Sequence, residues 1–438
     1  MVLNSFDETN PPRRELLDDC VHCGFCLPSC PTYLLDGNEA DSPRGRIHLM
    51  DLADRGEVPL DATFAQHIDG CLGCMACVVA CPSGVEYGRL LEAARPQIER
   101  NVPRPPADAL FRRMIFSLFP HPNRLRVVTV IGLLYQRIGL QRLLRRLLPP
   151  RLRALDGLLP PVRLRALLSR SPDFVPARTE RRLRVALLTG CAQRVYFGHV
   201  NAATIRVLAA EGCDVVIPRG QPCCGALSMH AGLVDDAARR ARRTIDALGS
   251  LDVDAVVVNV AGCGSTLKEY GDLLRDDPAY AERAESFSAK VRDVHELLMS
   301  LPPMAPREPL PLRVVYHDAC HLANAQRVTS EPRQLLNSIP DLTLVEVAEP
   351  DICCGSAGIY NLVQPEPAER LGRRKAESLL AGRPDVIATG NAGCLLQIRR
   401  HSGDADVPVV HPVELLDASL GGPTSILPTA RPAPDGRA

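Results

Sequence analysis

Two short cysteine runs near the start of the chain have the residue types and spacing of metal ligands. Each run reads C-x2-C-x2-C-x3-C-P, the first over 20–31 and the second over 71–82. Thiolates in this spacing ligate two [4Fe-4S] clusters, the first three of each run holding one cluster and the fourth reaching the other. A structural zinc site is the main alternative, but it uses two separated cysteine pairs. The sequence therefore predicts cluster 1 on Cys20, Cys23, Cys26 and Cys81, and cluster 2 on Cys71, Cys74, Cys77 and Cys30.

Helical segments around the two runs would position these thiolates. Ser42 or Asp41 could cap a helix whose first residue is Pro43. On that helix, Arg44 and Arg46 could lie in solvent, or they could offset the negative charge of a thiolate-bound cluster. We predict a helical ferredoxin module over 1–102.

Eight further cysteines follow an internal repeat between 183 and 417. In each half, a buried strand leads to one cysteine, a second strand leads to Cys-Cys-Gly, and a third leads to Gly-Cys. Strands alternating with helices indicate parallel β-α-β units, whose ligands lie at the carboxyl ends of the strands. These cysteines should therefore converge, four per half, on one edge of the sheet: Cys191, Cys223, Cys224 and Cys263, then Cys320, Cys353, Cys354 and Cys394.

Eight converging thiols could bind a metal ion or a further iron-sulfur cluster, or form a redox disulfide. The alternative, that they are small buried residues, suits the isolated Cys213 but not a repeated pattern. His317 and His321 flank Cys320 and could ligate metal or pass a proton, but a structural role is favoured because the first half has no matching pair. No residue can be assigned a catalytic role.

The segment between the ferredoxin module and the repeat is strongly basic. From 109 to 170 it contains thirteen arginines, no lysine and a single acidic residue, Asp156. Its leucine-rich pattern indicates amphipathic helices broken by proline pairs. It could be a connector packed on the body of the protein, or a basic surface for anionic lipid or an acidic partner subunit.

Composition limits the remaining possibilities. The 438 residues carry no formal net charge, 17 cysteines and no tryptophan, and they contain neither G-x-G-x-x-G nor a P-loop. A flavin, nicotinamide or nucleic-acid site on this chain is therefore not expected. Without an apolar run of 18 residues or an export pattern, a chain with reduced thiols is expected to be cytoplasmic.

The predicted fold class is α+β. We expect a twin-cluster ferredoxin over 1–102, a basic helical connector over 103–182, and two tandem α/β domains over 183–300 and 311–418. A disordered tail is expected over 419–438.

The combined motifs resemble one family. Cys-Val-His-Cys-Gly-Phe-Cys at 20–26, Pro-Arg-Gly-Arg-Ile at 43–47 and Cys-Pro-Ser-Gly-Val-Glu-Tyr-Gly at 81–88, joined to two Cys-Cys-Gly domains, resemble the iron-sulfur subunits of bacterial glycolate oxidase. The Cys-Cys-Gly domains are shared more widely, with heterodisulfide reductase, lactate-utilisation proteins and a subunit of anaerobic glycerol-3-phosphate dehydrogenase.

This resemblance implies an oxidoreductase subunit without its own substrate site. FAD-binding partner subunits would oxidise glycolate to glyoxylate, and this chain would pass the electrons towards a quinone or another acceptor, with possible peripheral contact with the inner face of the cell membrane. Equivalent subunits for glycerol 3-phosphate or lactate, and a thiol-disulfide reductase, are the alternatives. One departure is visible: the Cys-x-x-Cys that ends such domains in heterodisulfide reductase is here Cys263-Gly-Ser-Thr266 and Cys394-Leu-Leu-Gln397. Four cysteines per half remain.

Overall fold

The computed structural model describes residues 5–141, 147–158, 171–350, 352–403, 405, 407–425 and 427–428. Six short helices form the N-terminal module around an apolar core that includes Met50, Ile68 and Leu90. They are α1 (Arg14–Asp18), α2 (Pro31–Asp36), α3 (Pro43–Asp54), α4 (Ala62–Asp69), α5 (Ala76–Ala80) and α6 (Tyr87–Asn101). Ser42 caps α3 by accepting a hydrogen bond from the Gly45 backbone N–H, and Pro43 is the first residue of that helix.

Three helices of the connector lie over the body of the protein: α7 (Pro106–Leu118), α8 (Pro122–Arg137) and α9 (Pro150–Gly157). Ile115, Leu125 and Ala154 bury their side chains against neighbouring elements. Two stretches predicted as helical connector, 142–146 and 159–170, lie outside the described residues. The packing of these helices on the body of the protein does not exclude a basic surface on their outer side.

The first half contains a five-stranded sheet of order β1-β3-β2-β4-β5, in which only β1 is antiparallel. Its strands are β1 (Phe174–Val175), β2 (Leu183–Leu188), β3 (Cys213–Val216), β4 (Ala255–Val258) and β5 (Val291–Asp293). Its helices are α10 (Ala192–Tyr196), α11 (Gly198–Ala210), α12 (Ala226–His230), α13 (Val234–Leu248), α14 (Ala261–Lys268), α15 (Tyr270–Leu273), α16 (Ala281–Lys290) and α17 (Val294–Met299). The strand β1 is a correction to the sequence analysis, which assigned its residues to the helical connector.

The second half repeats the arrangement with a four-stranded parallel sheet of order β7-β6-β8-β9. Its strands are β6 (Arg313–Tyr316), β7 (Thr343–Val345), β8 (Val386–Ala388) and β9 (Val409–Val410). A π-helical turn (His321–Ala325) precedes α18 (Glu331–Asn337), α19 (Tyr360–Val363), α20 (Pro365–Ala381), α21 (Ala392–His401) and α22 (Pro412–Ser419). The α+β prediction is confirmed. Of the predicted tail, residues 426 and 429–438 lie outside the described residues.

The two halves share one apolar core rather than having two separate cores. Val185 and Val257 of the first sheet belong to the same buried cluster as Val314 and Ile387 of the second sheet. Polar contacts cross the same boundary: a ring nitrogen of His411 lies 3.1 Å from the Asn259 carbonyl oxygen. The edges of the two sheets that carry cysteines are therefore fixed relative to each other.

Candidate metal centres

The four thiols predicted for cluster 1 border one cavity at the surface of the N-terminal module. Cys20, Cys23, Cys26 and Cys81 all line it, and Cys77 touches its inner side. Gly24 has a φ of +86°, and a Cβ there would stand 2.8 Å from the Arg44 guanidinium, so glycine lets the loop approach that cation. Cys23, Val21 and Phe25 are exposed. This site faces solvent.

The four thiols predicted for cluster 2 border a second cavity, and all of them are buried. Cys30, Cys71, Cys74 and Cys77 line it. The Gly73 backbone N–H donates to the Cys71 sulfur at 3.3 Å. The cysteines bordering each cavity thus include three of one run and the fourth of the other, which is the donor set that a [4Fe-4S] cluster requires, and Cys77 borders both cavities.

A buried arginine lies beside the second cavity. Arg46 is 1% exposed and donates to the Thr32 hydroxyl at 3.1 Å and to the His67 carbonyl at 2.7 Å. Burial, the largest single effect, raises the pKa of Cys71, but the Arg46 and Arg95 guanidinium groups, together with hydrogen bonds from Tyr87 and the Gly73 backbone, outweigh it and lower that pKa. Of the two arginines left open by the sequence, Arg46 stabilises negative charge on the thiols, whereas Arg44 holds the first loop by donating to the His22 carbonyl at 3.0 Å.

In the first half, four cysteines meet beyond the ends of the parallel strands. The Sγ atoms of Cys191 and Cys223 lie 3.5 Å apart, and Cys224 is buried beside them. Hydrogen bonds from the thiols of Cys191 and Cys224 lower the pKa of Cys223 well below its ordinary value. Cys263, at the start of α14, completes the group and is less buried.

In the second half, the equivalent cysteines meet in the same way. The Sγ atoms of Cys354 and Cys394 lie 3.3 Å apart. A hydrogen bond from the Cys320 thiol and another from Cys354 lower the pKa of Cys353 well below its ordinary value. The Cys320 Sγ also lies 3.5 Å from Nδ1 of His321.

His317 lies next to this second group. It follows β6 directly, is 1% exposed, and has a ring nitrogen in a group with the sulfurs of Cys354 and Cys394 in which all three atoms lie within 4.8 Å of one another. Among the described residues, neither of its ring nitrogens has a hydrogen-bond partner. The sequence analysis favoured a structural role for His317. The feature of the sequence that could have indicated its position beside the cysteines is its place at a strand end, three residues before Cys320.

A large apolar cavity joins the two halves. Its volume is about 490 Å³, and all eight cysteines of the repeat line it. Its opposite wall belongs to the connector and includes Leu118 and Phe119 of the α7 end, Leu125 of α8 and Leu155 of α9. The connector therefore covers the edge on which the cysteines converge.

The buried thiols of cluster 2 adjoin the second half. The Asn324 side chain donates to the Cys74 carbonyl at 2.8 Å. Cys74 and Leu72 belong to one buried cluster with Cys353 and Tyr360. Directly packed side chains thus separate the large cavity from the cavity bordered by Cys30, Cys71, Cys74 and Cys77.

Two carboxyl groups face each other where the N-terminal module meets the first half. Burial raises the pKa of Glu92 on α6 to about 7, although the Arg95 guanidinium acts in the opposite direction. Burial and the charge of Glu92 raise the pKa of Glu269 to about 8. This contact is therefore most stable when both groups hold a proton.

Comparison with known proteins finds related families over most of the chain. A 4Fe-4S dicluster domain matches residues 16–85, and a cysteine-rich domain matches 185–268 and 314–399. The linker region of the glycolate oxidase iron-sulfur subunit matches 107–159. The probable glycolate oxidase iron-sulfur subunit of Bacillus subtilis (strain 168) is 43% identical, over 97% of this chain and 98% of that protein.

This chain belongs to the family of glycolate oxidase iron-sulfur subunits. The glycolate oxidase iron-sulfur subunit of Escherichia coli (strain K12) is 36% identical over 92% of this chain and 94% of its own length. Lactate utilization protein A of Exiguobacterium sp. (strain ATCC BAA-1283 / AT1b) is 27% identical, over only 54% of this chain. The match of the connector to a glycolate oxidase linker distinguishes the iron-sulfur subunit family from such shorter relatives, and the suspected family resemblance is confirmed.

Proposed function

We propose that this chain carries electrons from a flavin-bearing partner subunit, through its two iron-sulfur clusters, to an acceptor in the large cavity. As a glycolate oxidase iron-sulfur subunit, it is an electron-transfer component of an oxidoreductase complex, and substrate oxidation belongs to another chain. The alternatives of a glycerol-3-phosphate complex, a lactate complex or a thiol-disulfide reductase are not favoured, because two glycolate oxidase iron-sulfur subunits match more than nine-tenths of the chain and the connector matches the linker of that subunit.

The ligand assignment is part of this proposal. Cys20, Cys23, Cys26 and Cys81 would hold cluster 1, and Cys30, Cys71, Cys74 and Cys77 would hold cluster 2. When bound, [4Fe-4S] clusters accept and release one electron at a time. The chain would fix the distance between the two clusters. It also excludes water from the second site, because the thiols proposed for cluster 2 are buried.

We propose the exposed loop around cluster 1 as the docking surface for the FAD-binding subunit. Val21 and Phe25 are 68% and 67% exposed, and Val79 is also exposed. Large apolar side chains exposed beside an accessible metal loop are typical of a surface that a partner covers. Electrons would therefore enter at cluster 1.

The contact between Cys74 and the second half is the observation that supports the direction of transfer. Since cluster 2 lies on the side of the module that packs against Cys353 and Asn324, electrons leaving it face the wall of the large cavity. This cavity is apolar and shielded by the connector, which suits a ring-shaped apolar acceptor such as a quinone better than a charged one.

The outer face of the connector supports contact with a lipid surface. On α8, Val127, Ile131 and Leu134 recur at helical spacing and are 61% to 62% exposed. Arg124 and Arg137 are exposed on the same helix, which has no acidic residue. An apolar stripe flanked by cations binds the interface of an anionic bilayer. Among the helices described, none combines the length and apolar character needed to cross a membrane.

The entry surface can be tested in the complex purified anaerobically with its partner subunits. Phe25→Asp should leave the iron content unchanged but slow glycolate-dependent reduction of the clusters at least tenfold, measured by stopped-flow absorbance. Phe174→Asp, at an exposed phenylalanine on β1, is the matched control and should have no effect. Equal rates in both variants would refute entry at cluster 1.

The lipid contact can be tested by sedimentation with vesicles of phosphatidylglycerol and phosphatidylcholine. The double variant Ile131→Asp, Leu134→Asp should reduce the bound fraction several-fold, while the rate of cluster reduction by glycolate stays normal. Binding that persists in this variant, or that does not depend on phosphatidylglycerol, would contradict the proposed contact.

A further inference from the structure

We propose that the second half binds a single zinc-type ion, with His317 as a ligand beside Cys354 and Cys394. This inference concerns the repeat alone and does not depend on the electron path described above. It makes the two cysteine sites chemically different, with nitrogen and sulfur ligands in the second half and only sulfur in the first.

The first support is the isolation of the imidazole. His317 is 1% exposed, and neither ring nitrogen has a hydrogen-bond partner among the described residues. A buried polar atom without a partner destabilises the folded protein. A bond from one ring nitrogen to a metal ion removes that cost for the bound nitrogen, and neutral imidazole is the commonest metal ligand in proteins.

The second support is the distance between the donor atoms. A ring nitrogen of His317 and the sulfurs of Cys354 and Cys394 all lie within 4.8 Å of one another, and the two sulfurs are 3.3 Å apart. Zinc–sulfur bonds of about 2.3 Å in a tetrahedron place two sulfurs about 3.8 Å apart. Thiolates of a [4Fe-4S] cluster bind different iron atoms and are more widely separated. Among the described residues, no other three potential ligand atoms lie within 4.8 Å of one another, and the thiols of the N-terminal module do not form such a group.

The third support is the contrast with the first half. The residue three positions before the first cysteine is His317 in the second half and Leu188 in the first. Both residues lie at the end of equivalent strands and both are buried, Leu188 being 1% exposed. Repeated architecture alone therefore does not require an imidazole at this position, since leucine fills the same space.

The surroundings supply the remaining parts of a metal site. Cys353, whose thiol hydrogen-bonds with those of Cys320 and Cys354, could supply a fourth ligand. The Asn391 amide donates to the Cys394 sulfur at 3.4 Å, an outer hydrogen bond of the kind that orients a thiolate ligand. Because zinc does not change its oxidation state, the ion would shape and polarise the cavity wall rather than carry electrons.

The experiment measures metal content and coordination in the complex purified anaerobically. Mass spectrometry of the metals should find about one zinc per chain in addition to iron, and zinc-edge X-ray absorption should show a mixed sulfur and nitrogen shell. His317→Leu, which copies the first half, should lower zinc occupancy at least tenfold and leave iron unchanged. Leu188→His is the matched control and should change neither metal.

A second variant guards against misfolding of His317→Leu. His317→Cys supplies a thiolate at the same position and should retain zinc with an all-sulfur shell, which only a direct ligand would cause. Zinc absent from the wild type, zinc retained with an unchanged shell in both variants, or a loss of iron in place of zinc would each overturn the proposal.

Discussion

Replacing Arg46 by glutamine should lower the reduction potential of cluster 2. The guanidinium donates to the Thr32 hydroxyl at 3.1 Å, and that hydroxyl lies 3.2 Å from the Cys30 sulfur, so charge and ligand are no more than about 6.3 Å apart. Reduction adds negative charge to the cluster, which a nearby buried cation stabilises. Loss of this cation therefore makes reduction harder.

The size of the shift follows from Coulomb's law. Two unit charges about 6.3 Å apart, at an effective dielectric constant of about 20, interact by about 2.6 kcal/mol. For a one-electron couple this corresponds to about 115 mV. Since glutamine also leaves room for water, which screens charge, a fall of about 60–115 mV is expected.

Redox titration followed by electron paramagnetic resonance would measure this shift. Arg46→Lys keeps the charge and should shift the potential by less than half as much. Arg55→Gln removes a half-exposed arginine directly after α3, as a control for general effects of charge. Iron content must match the wild type in all three proteins. An unchanged potential in Arg46→Gln, or equal shifts in Arg46→Gln and Arg55→Gln, would refute the electrostatic role of Arg46.

Three other outcomes are expected. Cys30→Ser should remove the resonance signal of cluster 2 and spare that of cluster 1, whereas Cys81→Ser should do the reverse; loss of the cluster from the same run as the mutated residue would contradict the crossed ligation. Glu269→Gln should raise the melting temperature at pH 8 and change it little at pH 4. Folding raises the pKa of Glu269 from 4.5 to about 8, so the wild-type protein loses stability as the pH rises through that range, whereas glutamine does not ionise. The increase in melting temperature should therefore grow from pH 4.5 to pH 8, and an increase independent of pH would count against the protonated pair. Gly355→Ala should destabilise the fold by about 1–3 kcal/mol more than Gly421→Ala, as measured by urea unfolding. Both glycines have positive φ, but only at Gly355 would a Cβ meet a carbonyl oxygen of α20, at 2.8 Å. Equal losses of stability would show that this close approach has no cost.

The parts of the site that were predictable depend on local spacing. The interval between Cys20 and Pro31 specifies a ligand loop whatever surrounds it, and the order of strands and cysteines in the repeat specifies the sheet edge on which those cysteines meet. The cap on Ser42 was predictable for the same reason, since it involves residues within one helical turn.

What the sequence did not predict depends on contacts between distant segments. The closeness of His317 to Cys394 arises only when β6 and β8 pair, and 77 positions separate them in the chain. The strand β1 has only two residues and forms by adding to the edge of β3, so its sequence carries too little pattern to reveal it. Likewise, the connector pattern showed an apolar face but not that α8 has one apolar side over the cavity and another facing solvent.

The shared core of the two halves limits how far the first half can fold while the chain is being synthesised. Helix α11 of the first half packs on α22, and Arg206 of α11 pairs with Asp417 of α22 at 2.6 Å, although 211 positions separate them. During translation the first half therefore leaves the ribosome without the helix that covers it. The side of α11 that belongs to the shared core, which includes Val207 and Leu208, stays exposed until α22 has been synthesised. The shared core therefore closes only after the second half has emerged.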